Sequence, residues 1–141
     1  MEQPLPKPFT PIVPAPLQAA YDTFQFAPAV RVGEQVIVSG IIGFAPDMSL
    51  PDDFAAQVEN AFSTLELVLS EAGAALSDVA SLTTYHVGDL PAQMATFIAI
   101  KTARLGVPHP AWTAVGVASL AVPGAQIEIA ATAFAPQARH D

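Results

Sequence analysis

Apolar and polar positions change rhythm several times along the 141-residue chain, and each change marks an element. Gln35–Ile42 (QVIVSGII) is a short β-branched run bounded by Gly33 and by Gly43, with Pro46 beyond it, and predicts a strand. It is apolar on both faces, as a strand covered from both sides should be. Phe24–Val32 predicts its partner strand, with Gly33-Glu34 as the turn. Beyond Pro51 the period lengthens: Phe54, Val58, Ala61, Phe62, Leu65, Val68, Leu69 and Ala72 recur at helical spacing and make one wide apolar stripe. This predicts a helix opened by Asp52 and Asp53 and running to about Glu71. Its first-turn acids suit the macrodipole, and Gly73 supplies a left-handed C-terminal cap.

Val79–Val87 (VASLTTYHV) is rich in β-formers and predicts another strand. Gly88-Asp89 leads to Pro91, a favoured first-turn residue, and a second helix carries Met94, Phe97, Ile98, Lys101 and Leu105 before ending at Gly106. Two strands close the chain, Ala111–Leu120 and Gln126–Phe134, joined by a turn around Pro123-Gly124. The predicted order is β-β-α-β-α-β-β, an α+β chain with a mixed sheet and two helices on one face. Seven of the 14 prolines lie in the first 28 residues, so residues 1–18 read as an extended, proline-rich arm, docked on a neighbour or loose. One domain is expected over 19–136, followed by a short tail, 137–141. Two helices cover only one face of such a sheet; the other still carries apolar side chains, and a second copy of the chain is the simplest cover.

Composition sharpens the same point. The chain is 52% hydrophobic and only 13% charged, which is apolar for a solitary soluble domain. A membrane-spanning segment needs roughly 20 apolar residues, and the longest apolar stretches, Ala114–Pro123 and Val36–Phe44, are too short and are broken by Gly, Ser and Pro. Self-association is the better account. The start, MEQPLPKPFT, lacks a basic region followed by an apolar core, so no secretion signal is expected and the cytoplasm is the default compartment. Without cysteine there is no disulfide, thiol nucleophile or thiolate metal site. Thirteen acids against five scattered bases give a net charge of −8, which argues against nucleic acid as a partner. His86, His109 and His140 are far apart in sequence, which argues against zinc, and no cofactor is expected.

Several segments, in order, resemble the Rid (YjgF) family of reactive intermediate deaminases. Val38-Ser39-Gly40-Ile41-Ile42-Gly43 is similar to its SGQIG strand end, and Gln57 and Asn60 fall, slightly out of register, as in its Q-x-x-x-A-x-x-N-type helix. Ala72–Val79 (AGAALSDV) resembles A-G-x-x-L-x-D-V; Pro110–Val117 (PAWTAVGV) resembles P-A-R-[ST]-x-V-x-V; Ile127-Glu128-Ile129 resembles [VI]-E-I. The match spans about Phe24 to Phe134. It implies a chorismate-mutase-like homotrimer with a ligand cleft at each subunit interface. It also implies a small-molecule hydrolase: the best-studied branch converts enamines and imines such as 2-aminoacrylate to keto acids and ammonia.

The resemblance singles out Glu128 as the catalytic carboxyl, positioning or deprotonating the attacking water, and Trp112, Thr113, Gly40 and Phe26 as substrate-binding positions. Trp112 stands where the family has a carboxylate-clamping arginine, so 2-aminoacrylate is not the expected substrate. For Trp112 two readings stand together, an aromatic cleft wall or a core or interface tryptophan. Near Trp112, the Glu128 carboxyl would hold its proton more tightly than usual. Glu128 could equally be an exposed strand carboxylate, and Thr113 a simple β-former. Gly40 matches a position of close ligand approach. Phe26 replaces a family tyrosine, and the family's second-helix asparagine has no equivalent. Arg31, Lys101 or Arg104 could replace the lost cation, although Lys101 and Arg104 also suit the end of a helix. His109 is expected in a surface loop and His86 in the sheet. The leading expectation is an imine or enamine hydrolase, against a non-catalytic binding trimer; the endoribonuclease activity attributed to some members ranks last on charge.

Overall fold

The computed structural model describes residues 5–137; residues 1–4 of the expected arm, and Arg139 and His140 in the expected tail, lie outside them. The elements run β1 (Thr10–Ile12), α1 (Gln18–Phe24), β2 (Ala29–Val32), β3 (Gln35–Ile42), α2 (Phe54–Glu71), β4 (Val79–His86), α3 (Leu90–Leu105), β5 (Ala111–Gly116) and β6 (Ile127–Phe134). They build one six-stranded sheet in the order β1-β2-β3-β6-β4-β5. Every pairing is antiparallel except β4–β5, which is parallel with α3 as the crossover. The sheet is therefore mixed and the fold α+β, as expected.

Local chemistry explains the main turns. Gly33 takes φ of 60° at the first of two residues between Val32 and Gln35, the hand a tight hairpin needs. Asp53 precedes α2, and its carboxylate accepts the Ala56 N–H at 3.0 Å; the acids cap the helix rather than lying within its first turn. Asp89 caps α3 by accepting the Ala92 N–H at 3.3 Å, and Gly73 ends α2 at φ 77°.

The core lies between α2, α3 and one sheet face. Val36, Val38, Ile41, Leu82, Ile127 and Ile129 meet Val58, Phe62, Leu65, Leu69 and Phe97 there, all buried. Burial alternates with period two along β6 and the end of β4, so their other residues face away from the helices. On that outer face Ile37, Val115 and Phe134 are 41%, 38% and 54% exposed, leaving the uncovered apolar surface that the sequence implies.

Three expectations need correction. The order is β-α-β-β-α-β-α-β-β, because β1 and α1 precede the expected first strand. Among its described residues the arm is not extended throughout: Thr10–Ile12 is extended and pairs with β2 at the sheet edge, where a proline costs no ladder bond on its free side, but Ala15–Leu17 wind into a 3-10 turn that leads into α1. Helix α1 buries nothing, so its sequence carries no apolar stripe to betray it. Gln25 then turns left-handed at φ 60°, and the strand partnering β3 begins only at Ala29.

Candidate functional site

The centre of the outer face is shaped by an irregularity in β3. Val38 pairs with Ala131 and Ile41 with Ile129, so β3 has one residue too many at Ser39-Gly40. Such a bulge bends the strand and frees its backbone from the ladder. Just beyond it, Glu128 of β6 lies in register between Ile42 and Tyr85. The Glu128 side chain folds over the bulge: a Cβ on Gly40 would stand 2.6 Å from Glu128 Cδ and 2.7 Å from Oε2. Gly40 is thus the position at which only glycine leaves room for this carboxyl. Burial alone pushes the Glu128 carboxyl above its ordinary proton affinity, with no charge or hydrogen bond opposing it.

Two bonds bring Phe26 to the same region. Ser39 Oγ donates to the Ala27 carbonyl at 2.6 Å, and Ser39 N–H donates to Pro28 O at 2.9 Å. Phe26, 41% exposed, lines a concavity of about 410 Å³ with Phe9, Pro11 and Tyr21. Thr113 is exposed on the outer face too. Its register through Thr83 to Ala130 sets it two strands and one pair of positions from Glu128, roughly 10 Å or more away.

Trp112 lies on the other face. It pairs with buried Leu82, and its ring centroid is 5.2 Å from that of Phe97 on α3. Its Nε1–H donates to Thr84 Oγ1 at 2.9 Å. Within one subunit Trp112 therefore does not stand beside Glu128, and burial, not the indole, raises the Glu128 proton affinity.

A polar chain continues inward from Trp112. Gln93 Nε2 donates to Val87 O at 2.9 Å, so its Oε1 is left to accept from His86 Nδ1–H at 3.1 Å. His86 Nε2 then accepts from the Thr84 hydroxyl at 2.8 Å. The chain is satisfied with His86 neutral, and burial lowers its proton affinity further than the Gln93 contact raises it. His86 is a buried sheet histidine, as expected; His109 is exposed in its loop.

The cations named as replacements for the family arginine are placed on the helix side. Arg31 donates to the carbonyls of Gly33, Ala135 and Ala72, the last at the end of α2. Arg104 pairs with Glu59 at 2.8 Å. Lys101 is buried with Nζ 5.2 Å from the Trp112 ring centroid. Gln57 and Asn60 hold α2 in place: Gln57 bonds to Pro51 O, Gly124 O and Gln126 N–H, and Asn60 donates to Gly43 O at 3.2 Å. Among the described residues no group of three His, Cys, Asp or Glu side chains is arranged to hold a metal ion. No helix among the described residues is long and apolar enough to cross a membrane.

Sequence reasoning passed over Tyr85 and Ser39. Alternation along β4 carries the signal for Tyr85, since it shares the parity of Thr83 and so the face of Glu128. Ser39 carried none, because its role is a bond to a distant loop.

The mixed sheet with helices packed on one face defines an α+β class of fold, and the comparisons with known proteins agree on that fold. The chain belongs to the family described as Endoribonuclease L-PSP, whose sequence model matches residues 17–135. It is similar to the RutC family protein YjgH of Escherichia coli K12, 33% identical over 129 residues that make up 91% of this chain and 96% of that protein. A solved structure of protein YJGH superposes with a TM-score of 0.82 at 32% identity, covering 94% of this chain and 100% of that one. RidA from the Antarctic bacterium Psychrobacter sp. PAMC 21119 gives 0.72 at 34% identity, over 77% and 87%. Rv2704 of Mycobacterium tuberculosis, a YjgF/YER057c/UK114 family member, gives 0.76 at 28% identity, over 89% and 98%. The resemblance to the Rid (YjgF) family is thereby borne out, and membership supports a hydrolase- or deaminase-like role on small molecules in general terms.

Proposed function

We propose that this chain forms a homotrimer that hydrolyses a small imine or enamine other than 2-aminoacrylate, in a cleft between subunits, with Glu128 as the catalytic carboxyl. The observation that carries this reading is the Glu128 carboxyl, half-buried over Gly40 with its proton affinity raised. Hydrolysis adds water to the C=N carbon and a proton to nitrogen; the C–N bond then breaks, leaving a carbonyl and ammonia. A carboxyl that keeps its proton to higher pH can protonate the imine nitrogen and, once ionised, take a proton from the attacking water.

Placement on opposite faces supports a shared site. Glu128 and Gly40 face outward while Trp112 faces α3, so a cleft holding all of them draws them from two subunits. In this reading Thr113 and Phe26 line the same cleft, and the exposed Ile37, Val115 and Phe134 are covered by neighbouring copies. The cytoplasm is the working compartment. RNA cleavage is disfavoured by a net charge of −8 with five bases.

A non-catalytic binding trimer is the second reading, favoured by Trp112 and Phe26 where the family has arginine and tyrosine. The two separate on one experiment. Imines are generated in situ from several amino acids by an oxidase, and 2-aminoacrylate by a lyase, while ammonia release is compared with and without the protein. Acceleration for the larger imines is expected. Spontaneous rates throughout would rule out the enzyme reading.

A further inference from the structure

One group of aromatic side chains takes no part in the core. Phe9 and Tyr21 are each 36% exposed and Phe26 is 41% exposed, and all three line the concavity of about 410 Å³ beside β1 and α1. Phe9 and Pro11 stand two apart along the first strand and share a face, Tyr21 comes from α1, and Phe26 from the loop beyond it. Packing does not account for these rings, because α1 buries none of its residues. Gln25 closes α1 in a left-handed conformation, φ 60°, which is costly for a residue with a Cβ, and the turn returns Phe26 to the hollow that Tyr21 lines. Charge is arranged one way around this hollow. Asp22 lines it, and no Lys, Arg or His does. Gln18 Nε2 donates to Asp22 Oδ1 at 3.1 Å, but no cation pairs with the carboxylate, since the single ion pair among the described residues joins Arg104 to Glu59. Arg31, opposite Thr10 in the β1–β2 register, donates instead to the carbonyls of Gly33 and Ala135.

We infer that the concavity formed by Phe9, Tyr21, Phe26 and Asp22 binds a small quaternary ammonium ion. An aromatic face is electronegative and attracts a cation within about 6 Å of its centre. A quaternary ammonium suits three rings and one carboxylate. Its charge is spread over methyl groups that pack on the rings, and it brings no N–H donor that the rings would leave unmet. A primary ammonium brings three such donors to a lining with few acceptors. Carboxylates and phosphates meet Asp22 and the ring faces with the wrong sign, in a chain already at −8. The volume lies in the range of roughly 300–1,000 Å³ usual for small-ligand sites. Phe26 is the residue shared with the proposed cleft, but the inference concerns binding alone. Loss of hydrolysis in Glu128→Gln leaves it standing, and its own failure leaves hydrolysis standing.

The full-length protein is titrated calorimetrically with choline, with its uncharged tert-butyl analogue and with ethanolamine, at constant ionic strength. The expected result is saturable binding of choline at millimolar concentration and clearly weaker binding of the other two. Choline affinity should fall at least about threefold in Tyr21→Leu. In Asp22→Asn it should fall about two- to fivefold, a loss that shrinks as salt is raised. Both side chains are exposed, so the fold should hold. Circular dichroism checks it, and Phe9→Leu replaces any variant that does not fold. Absence of saturable choline binding would overturn the inference without any variant. So would a tert-butyl analogue or an ethanolamine that binds as tightly as choline, or unchanged affinity in either variant. A change of assembly mass in Tyr21→Leu, with no choline response in the wild type, would assign the rings to a neighbouring copy and overturn it equally.

Discussion

Alanine at Gly43 and at Gly40, three residues apart on the same strand and its exit, should have opposite consequences. A Cβ on Gly43 would stand 2.1 Å from the Gln57 carbonyl oxygen and 2.7 Å from its Cα. Ordinary contact is well over 3 Å, so α2 or the end of β3 must retreat by roughly 1 Å. Neither yields easily: Gln57 is fully buried and bonded through its side chain to Pro51, Gly124 and Gln126. Overpacking of this kind costs about 1–3 kcal/mol or more, from a total stability of roughly 5–15 kcal/mol. Gly43→Ala should therefore lower the melting temperature by roughly 3–15 °C. At Gly40 the clash is with the far end of Glu128, which can swing aside. Gly40→Ala should shift stability by less than about 1 kcal/mol but displace the carboxyl and abolish function. Urea and thermal unfolding followed by circular dichroism decide it. A Gly43→Ala protein as stable as wild type, or a Gly40→Ala protein more damaged than Gly43→Ala, would refute the packing account.

Other outcomes follow from the same geometry. Light scattering at micromolar concentration should give about three times the 14.7 kDa chain mass; a monomer would leave the apolar outer face unexplained. Burial holds the His86 proton affinity below the usual 6.5, so the unfolded chain takes up that proton first as pH falls. Stability should drop from about pH 6.5 downward, and less so in His86→Gln; parallel acid curves for both proteins would contradict it. Glu128 has the reverse sign. Its folded carboxyl keeps a proton above the usual 4.5, so stability falls as pH rises through that region, and Glu128→Gln should remove this fall without weakening the fold. Activity on 2-aminoacrylate, measured with a coupled lyase and a keto-acid readout, should be weak or absent. A rate like that of an arginine-bearing relative would show that another cation clamps the substrate.

Legibility in the sequence tracked how locally each feature is encoded. Helix α2 was plain because its eight apolar positions face one core, and the Glu128 face followed from Ile127 and Ile129 on either side. Strand β5 was different. Trp112 and Ala114 share one parity, Ala111 and Val115 the other, so the apolar pattern could not say which face meets the helices. The bulge was half legible: Gly40 suggested close approach, but the surplus residue shows only in pairing with β6. The Trp112–Thr84–His86–Gln93 chain joins two strands and a helix, and no spacing announces it. Strand β1 was hidden by prolines that suit an edge.

The most direct measurement of the central claim is steady-state hydrolysis by Glu128→Gln, on whichever imine the wild type accelerates, beside calorimetric titration of the same ligand and a mass measurement. General acid–base help is worth roughly 10²–10⁴-fold, so turnover should fall by about that factor while assembly and folding stay intact. Unchanged turnover would contradict the catalytic assignment of Glu128.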